Sequence, residues 1–322
     1  MAEGFPGRAG QAAGKRSDTP DRGRVARVGV TLELSTGRGA SVSLEEAYKG
    51  CERLARTHYE NFTVGSVLLP KEKLRHVYAI YAFCRGVDDL GDEVQGDRLR
   101  LLDWWEEELR RCYEGAPTHP HMIALQHTIA QFDIPMEPFL KLLKANRMDQ
   151  TVRRHPTYQD LLYYCDHSAN PVGHLFLYLF GYRDRERQQM ADYTCTALQL
   201  TNFWQDVRRD VAMDRIYVPL EDMTRYSYSE EELKALKFNE RFGELMAFEV
   251  ERTRALFQEG LRLVKKVEGT VRVDIELFTR GGLKVLEAIE RQGYDVLSRR
   301  PRLSRWTKAG LFLSTWLRKT LS

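Results

Sequence analysis

The sequence predicts an all-α chain. From Ser43 onward apolar residues recur at helical spacing almost everywhere, and no convincing run of alternating apolar residues suggests a strand. The interruptions, at Pro70, Gly96, Gly115 to Pro120, Pro135, Pro156, Gly181 and Pro219, are short, which favours one catalytic-sized domain over two. The segment SLEE at Ser43 reads as a helix N-cap with a partial capping box and opens the first helix, 43–58. Further helices are expected over 71–94, 97–114, 121–132, 136–149, 157–180, 186–212, 229–235, 240–267, 270–297 and 303–319. There is no repeat at a fixed period.

Composition excludes several classes. The chain has 322 residues and a net charge of +3, with basic residues spread rather than banked, which argues against a nucleic-acid partner. Its five cysteines lack any CxxC pair, which argues against a disulfide framework or zinc and fits a reducing, cytoplasmic setting. No run of 18 apolar residues suggests a membrane span, and residues 1–42 have no apolar signal core. That stretch, rich in Gly, Arg, Ala and Ser, is expected to be a disordered extension before a domain over 43–300. The tail, 301–322, mixes Trp306, Phe312 and Trp316 with Arg305, Lys308 and Arg318. Such a basic amphipathic helix either docks on the core or lies at the inner face of a membrane.

Two polar stripes carry the chemistry. On a helix turning about 100° per residue, Tyr81, Arg85, Asp88 and Asp92 fall within about 60° of one another. By the same rule Gln199, Asn202, Asp206 and Asp210 fall within about 80°. Apolar neighbours on most sides imply that both helices are largely buried. Like charges four apart repel, and burying them uncompensated costs several kcal/mol per ion. A cation shared with substrate phosphates resolves the conflict, and hard oxygen ligands favour Mg²⁺ or Mn²⁺. Asp89 and Glu93 point off the first stripe. Arg208, Arg209 and Arg215 follow the second and supply cations, with the Tyr217 hydroxyl nearby.

Two other elements stand out. In YCDHSANPVG, Pro171 breaks or kinks a helix among the small residues Ser168, Ala169 and Gly173. That segment either widens a pocket for a long apolar chain or serves tight helix packing. In HYENF, His58, Glu60 and Phe62 follow the first helix as candidates for a pocket mouth.

These motifs closely resemble the squalene/phytoene synthase family, roughly from Ser43 to Ser298. The resemblance implies the class I isoprenoid synthase fold, with two DxxxD motifs facing each other across a helical cavity. It implies metal on Asp88, Asp92, Asp206 and Asp210, and carries over Tyr81, Arg85, Tyr164, Gln199 and Asn202, with Arg215 and Tyr217 near phosphate. Phe62, Tyr81, Tyr164 and Phe203 are candidates to face a carbocation. HYENF, ANRMDQ, HSANPVG and QLTNFWQDV resemble the bacterial hopanoid-pathway branch, whose proposed reaction turns presqualene diphosphate into hydroxysqualene after a partner enzyme has made that substrate. Condensing members place a basic residue where this chain has Glu60, and a carboxylate there could activate water. No dinucleotide loop is present, so NADPH is not expected. The alternatives are head-to-head condensation of two farnesyl or geranylgeranyl diphosphates and, remotely, a non-catalytic scaffold.

Overall fold

The computed structural model describes residues 42–57, 69–94 and 96–303. Contacts divide the chain into 1–41 and 42–322, and every described residue belongs to the second unit. Its helices are α1 (Leu44–Thr57), α2 (Lys71–Asp88), α3 (Arg98–Glu114), α4 (Pro120–Phe132), α5 (Glu137–Met148) and α6 (Tyr158–Ser168). They continue as α7 (Asn170–Leu179), α8 (Arg185–Ala212), α9 (Leu220–Arg225), α10 (Glu230–Lys234), α11 (Glu240–Gly260) and α12 (Gly269–Arg291). No strand occurs among the described residues, only an isolated bridge between Arg154 and Ile216.

Local chemistry sets the ends. The Ser43 hydroxyl accepts from the Glu46 amide at 3.3 Å, and the Glu46 carboxylate accepts from the Ser43 amide at 2.9 Å, completing the expected capping box. The stretch expected as one helix over 157–180 is two. The break falls at Ala169, and Pro171 sits in the first turn of α7, where its missing N–H costs nothing. Likewise 71–94 ends in a π turn, Asp89–Glu93, and 240–267 ends in a 3₁₀ turn, Leu261–Lys265. The short α9 escaped the periodicity because six residues are too few to show a helical repeat.

Each aspartate-bearing helix stands on its own apolar cluster. Phe83 of α2 packs in a cluster with Leu102, Trp105, Leu125, Phe139 and Leu175. Leu200 and Trp204 of α8 share another with Phe242, Phe257 and Leu286. Gly86 lets Trp105 approach closely, since a Cβ there would lie 2.4 Å from the indole. Trp204 is fully buried and donates to the Thr253 hydroxyl on α11 at 2.8 Å. Gly260, at the end of α11, brings that helix against α8: an added Cβ would lie 3.0 Å from the Thr194 backbone nitrogen.

A buried acid pair locks α11 to α9. Arg252 donates to Glu249 and, at 2.7 Å, to Asp222, while its guanidinium lies 3.6 Å from the Tyr158 ring centroid. Burial pushes the Glu249 carboxyl up to about 8, with Asp222 adding to the shift. Folded protein therefore holds a proton that unfolded chain releases above its ordinary value of 4.5. The stability this group contributes falls as pH rises from about 4.5 to about 8. We predict that Glu249→Gln flattens this part of the pH dependence, read by urea denaturation at both ends of the window; an unchanged slope would count against a protonated Glu249.

Candidate active site

The first motif ends α2, and the π turn that follows keeps Asp92 on the same side as Asp88 while opening the turn by one residue. Val94 N–H bonds the Asp89 carbonyl at 3.2 Å, an i→i+5 contact. Asp89, placed off the stripe by the sequence reading, is ion-paired with Arg85 on the helix. The i,i+4 spacing favours this partner over Asp88, three residues on.

The second motif runs along α8, with Gln199 half-buried, Asn202 exposed, and Asp206 and Asp210 half-buried. Arg215, just past α8, donates to Asp92 at 2.7 Å. A residue of the second motif's tail thus touches the first motif, and the two sequence stripes meet at one place. Asp206 takes a two-point contact from Arg300, one bond measuring 2.9 Å. Arg208, expected as a free cation beside the motif, instead donates to the carbonyls of Leu297 and Ser298, each at 3.0 Å. Gln205 donates to the Pro301 carbonyl at 2.6 Å. These bonds hold the segment carrying Arg300 across α8.

The carboxylates pay an electrostatic cost. Burial among protein atoms pushes Asp210 up to about 7, with Asp206 adding to the shift and Arg209, Arg215 and Arg300 opposing it. Asp88, although exposed at its surface, rises to about 6, chiefly through desolvation by the protein atoms around it. Among the described residues no three His, Cys, Asp or Glu side chains converge on one point. Each motif offers a pair instead. That fits Mg²⁺, which takes one or two carboxylates and completes its shell with phosphate oxygens and water. The all-oxygen donor set and the raised carboxyls suit such an ion.

Beside the carboxylates is an aromatic wall. Phe203 and Tyr217 stack with centroids 3.8 Å apart and planes 7° off parallel. Tyr164 lies 5.9 Å from Tyr217 and 6.2 Å from Phe203, and His155 stacks on Tyr217 at 5.6 Å. Phe203, Asp210, Arg215 and Tyr217 border a small, partly enclosed space of about 10 Å³, room for about one water. A larger open recess of about 570 Å³, lined by Cys112, Ile123 and His127, lies away from the motifs.

Other predicted residues divide. Tyr81 is half-buried on α2. The Ser168 hydroxyl is buried with no hydrogen-bond partner among the described residues. Gly173 faces α8, where an added Cβ would lie 2.7 Å from the Cys195 sulfur, so its small side serves helix packing. His58, Glu60, Phe62 and the helix expected over 303–319, beyond its first residue, lie outside the described residues. The sequence reading missed Asn146, Asp149, Gln150, His155 and Arg300. Asp149 accepts from the Tyr164 hydroxyl at 2.9 Å, and burial pushes its carboxyl up to about 6. A signal existed: Asn146, Asp149 and Gln150 form an i, i+3, i+4 polar stripe like the other two.

A helical fold with paired aspartates on separate helices, meeting beside an aromatic wall, is that of a class I isoprenoid synthase. A profile described as squalene/phytoene synthase matches residues 55–307. The fold is similar to squalene synthase HpnC from Alicyclobacillus acidocaldarius, with TM-score 0.77 and 47% identity over 79% of this chain and 97% of that one. It is also similar to a ligand-bound dehydrosqualene synthase, with TM-score 0.79 and 27% identity over 87% of this chain and 98% of that one. A 15-cis-phytoene synthase from Synechococcus elongatus is 29% identical over 88% of this chain and 96% of its own length. The chain belongs to the squalene/phytoene synthase family, enzymes of head-to-head isoprenoid diphosphate condensation.

Tyr164→Phe removes the donor to Asp149 and leaves a half-buried carboxyl without that bond. We predict a loss of about 1–3 kcal/mol in urea denaturation, the cost of an unpaired buried polar group. Wild-type stability in this variant would mean that water replaces the hydroxyl.

Proposed function

We propose that the protein ionises presqualene diphosphate and captures the cation with water, giving hydroxysqualene and diphosphate, with Mg²⁺ or Mn²⁺ and without NADPH. The observation that carries the diphosphate reading is Arg215 on Asp92, which brings the two carboxylate pairs together beside Asp210. What favours the squalene branch is the 47% identity to a protein named squalene synthase HpnC, well above the 29% to a phytoene synthase.

When bound, the ion neutralises charge on the leaving diphosphate. Arg85 and Arg215 add positive charge at the same end. The C–O bond breaks, its electron pair leaves with diphosphate, and the cyclopropylcarbinyl cation rearranges. Phe203, Tyr217 and Tyr164 present aromatic surface toward that cation and keep stray water out. Water adds its oxygen lone pair and loses one proton, and we assign Glu60 as the acceptor because condensing relatives carry a basic residue there. His58 and Phe62 would border the same mouth, Gln199 and Asn202 would line the α8 wall, and Ser168 would face the apolar chain.

A second reading has support of its own. The dehydrosqualene synthase neighbour and the phytoene synthase relatives favour condensation of two farnesyl or geranylgeranyl diphosphates. Among the described residues no helix is long and apolar enough to cross a membrane. We propose peripheral membrane contact through residues 303–319, from the cytoplasmic side, where a partner enzyme would deliver the apolar substrate.

Asp88→Ala, Asp92→Ala, Asp206→Ala and Asp210→Ala should each abolish diphosphate release, as should EDTA. Near wild-type turnover in any variant would remove that residue from the ligand set, and full activity with EDTA would remove the metal. Products are separated by mass spectrometry after offering presqualene, farnesyl and geranylgeranyl diphosphates in turn. Wild type should convert the first to hydroxysqualene, and Glu60→Gln should cut alcohol formation by about 10²–10⁴-fold while eliminated hydrocarbons rise. An unchanged product ratio in Glu60→Gln would dismiss the water role. Brisk use of the linear diphosphates with presqualene diphosphate untouched would select condensation.

A further inference from the structure

The first motif sits at a helix end, and helix ends leave carbonyls without amide partners. Here α2 stops in the π turn, so the Gly91, Asp92 and Val94 carbonyls must find donors elsewhere. Side chains supply all three. Gln150 donates to the Gly91 carbonyl at 3.0 Å, and its second amide hydrogen goes to the Asn146 carbonyl, also at 3.0 Å. From the other side Arg98 donates to the Asp92 carbonyl at 2.9 Å and to the Val94 carbonyl at 3.2 Å. The carbonyls on either side of the Asp92 side chain's attachment are thus held from two sides, by the turn after α5 and by the first residue of α3.

Asn146 tightens the same turn. Its amide oxygen lies where a Cβ on Gly91 would be, 2.4 Å away, so only glycine permits the approach. Its amide nitrogen reaches the Asp88 carboxylate at 3.5 Å. The strand of contacts is anchored behind: Arg147, between them on α5, binds Asp103 at 2.7 Å and Glu106 at 2.8 Å on α3. Asn146 and Gln150 face the turn, while Arg147 fixes the helix that presents them.

We propose that Asn146, Gln150 and Arg98 are positioning residues that set the geometry of the Asp88–Asp92 pair by fixing the π turn. This rests on reading that pair as metal ligands. The groups touch carbonyls and a carboxylate, not the reacting atoms. Their effect should therefore appear as metal affinity.

The test uses the full chain, with Mn²⁺ binding followed by electron paramagnetic resonance in the presence of inorganic pyrophosphate. Gln150→Leu removes the donor, Gln150→Lys keeps one with similar reach, and Arg98→Met removes the donors on the other side. We expect Gln150→Leu and Arg98→Met to weaken Mn²⁺ binding about 10–100-fold, the usual effect of losing a group that orients a ligand. Melting temperature should hold, turnover should return at saturating Mg²⁺, and Gln150→Lys should recover most of the affinity. Wild-type Mn²⁺ affinity in both Gln150→Leu and Arg98→Met would overturn the proposal, as would equal losses in Gln150→Leu and Gln150→Lys. If Gln150→Leu does not fold, Arg98→Met decides alone. Failure of wild type itself to bind Mn²⁺ with pyrophosphate would instead overturn the metal reading, and the positioning role with it.

Discussion

Bringing four carboxylates together inside a helical protein is the constraint on which the rest of this structure depends. Asp88 and Asp210 lose hydration, and each pair repels itself, so the folded chain must supply compensating groups. Asp92 has Arg215, Asp206 has Arg300, and Asp88 has the Asn146 amide. Asp210 has only more distant arginines to oppose its burial, and its carboxyl rises further than that of Asp88. The compensation is partial, which suits a site that binds a cation and an anion together. Full neutralisation by protein would leave nothing to attract the ion.

The packing follows from that constraint. A motif placed on a helix can be no better defined than the helix. Two separate apolar clusters hold α2 and α8, each with a large aromatic at its centre. Close approaches at Gly86 and Gly260 remove slack where α2 meets α3 and where α11 meets α8. The aromatic wall of Tyr164, Phe203 and Tyr217 draws on α6, α8 and the segment after α8, so the same packing that fixes the carboxylates also shapes the apolar side of the site. Stability and chemistry here share residues, as Tyr164 on Asp149 shows.

Much of this was legible in the chain itself. The helical class, most helix limits and both aspartate stripes follow from periodicity, because a helix repeats its faces every 3.6 residues and writes that repeat into the sequence. The family followed from the motifs, and the profile match agrees. The arginine that meets Asp206 was not legible, because Arg300 lies 94 residues beyond it and no local pattern links them. Arg208 looked like a site cation by proximity but is committed to two backbone carbonyls. The ANRMDQ segment carried a readable polar stripe, yet its partner was invisible, since the π turn that needs it exists only once α2 ends against α5.

The sequence by itself thus determined the helices, the two carboxylate pairs and the kind of ligand they suit. These are properties of neighbours along the chain: residue type, spacing and local charge. Only the tertiary structure decided which arginine meets which aspartate, which glycine is needed for packing, and which amides hold the first motif in place. The contacts to the paired aspartates join residues 58 to 123 positions apart, and their geometry comes from how helices pack, to which the hydrophobic pattern of any one helix is blind.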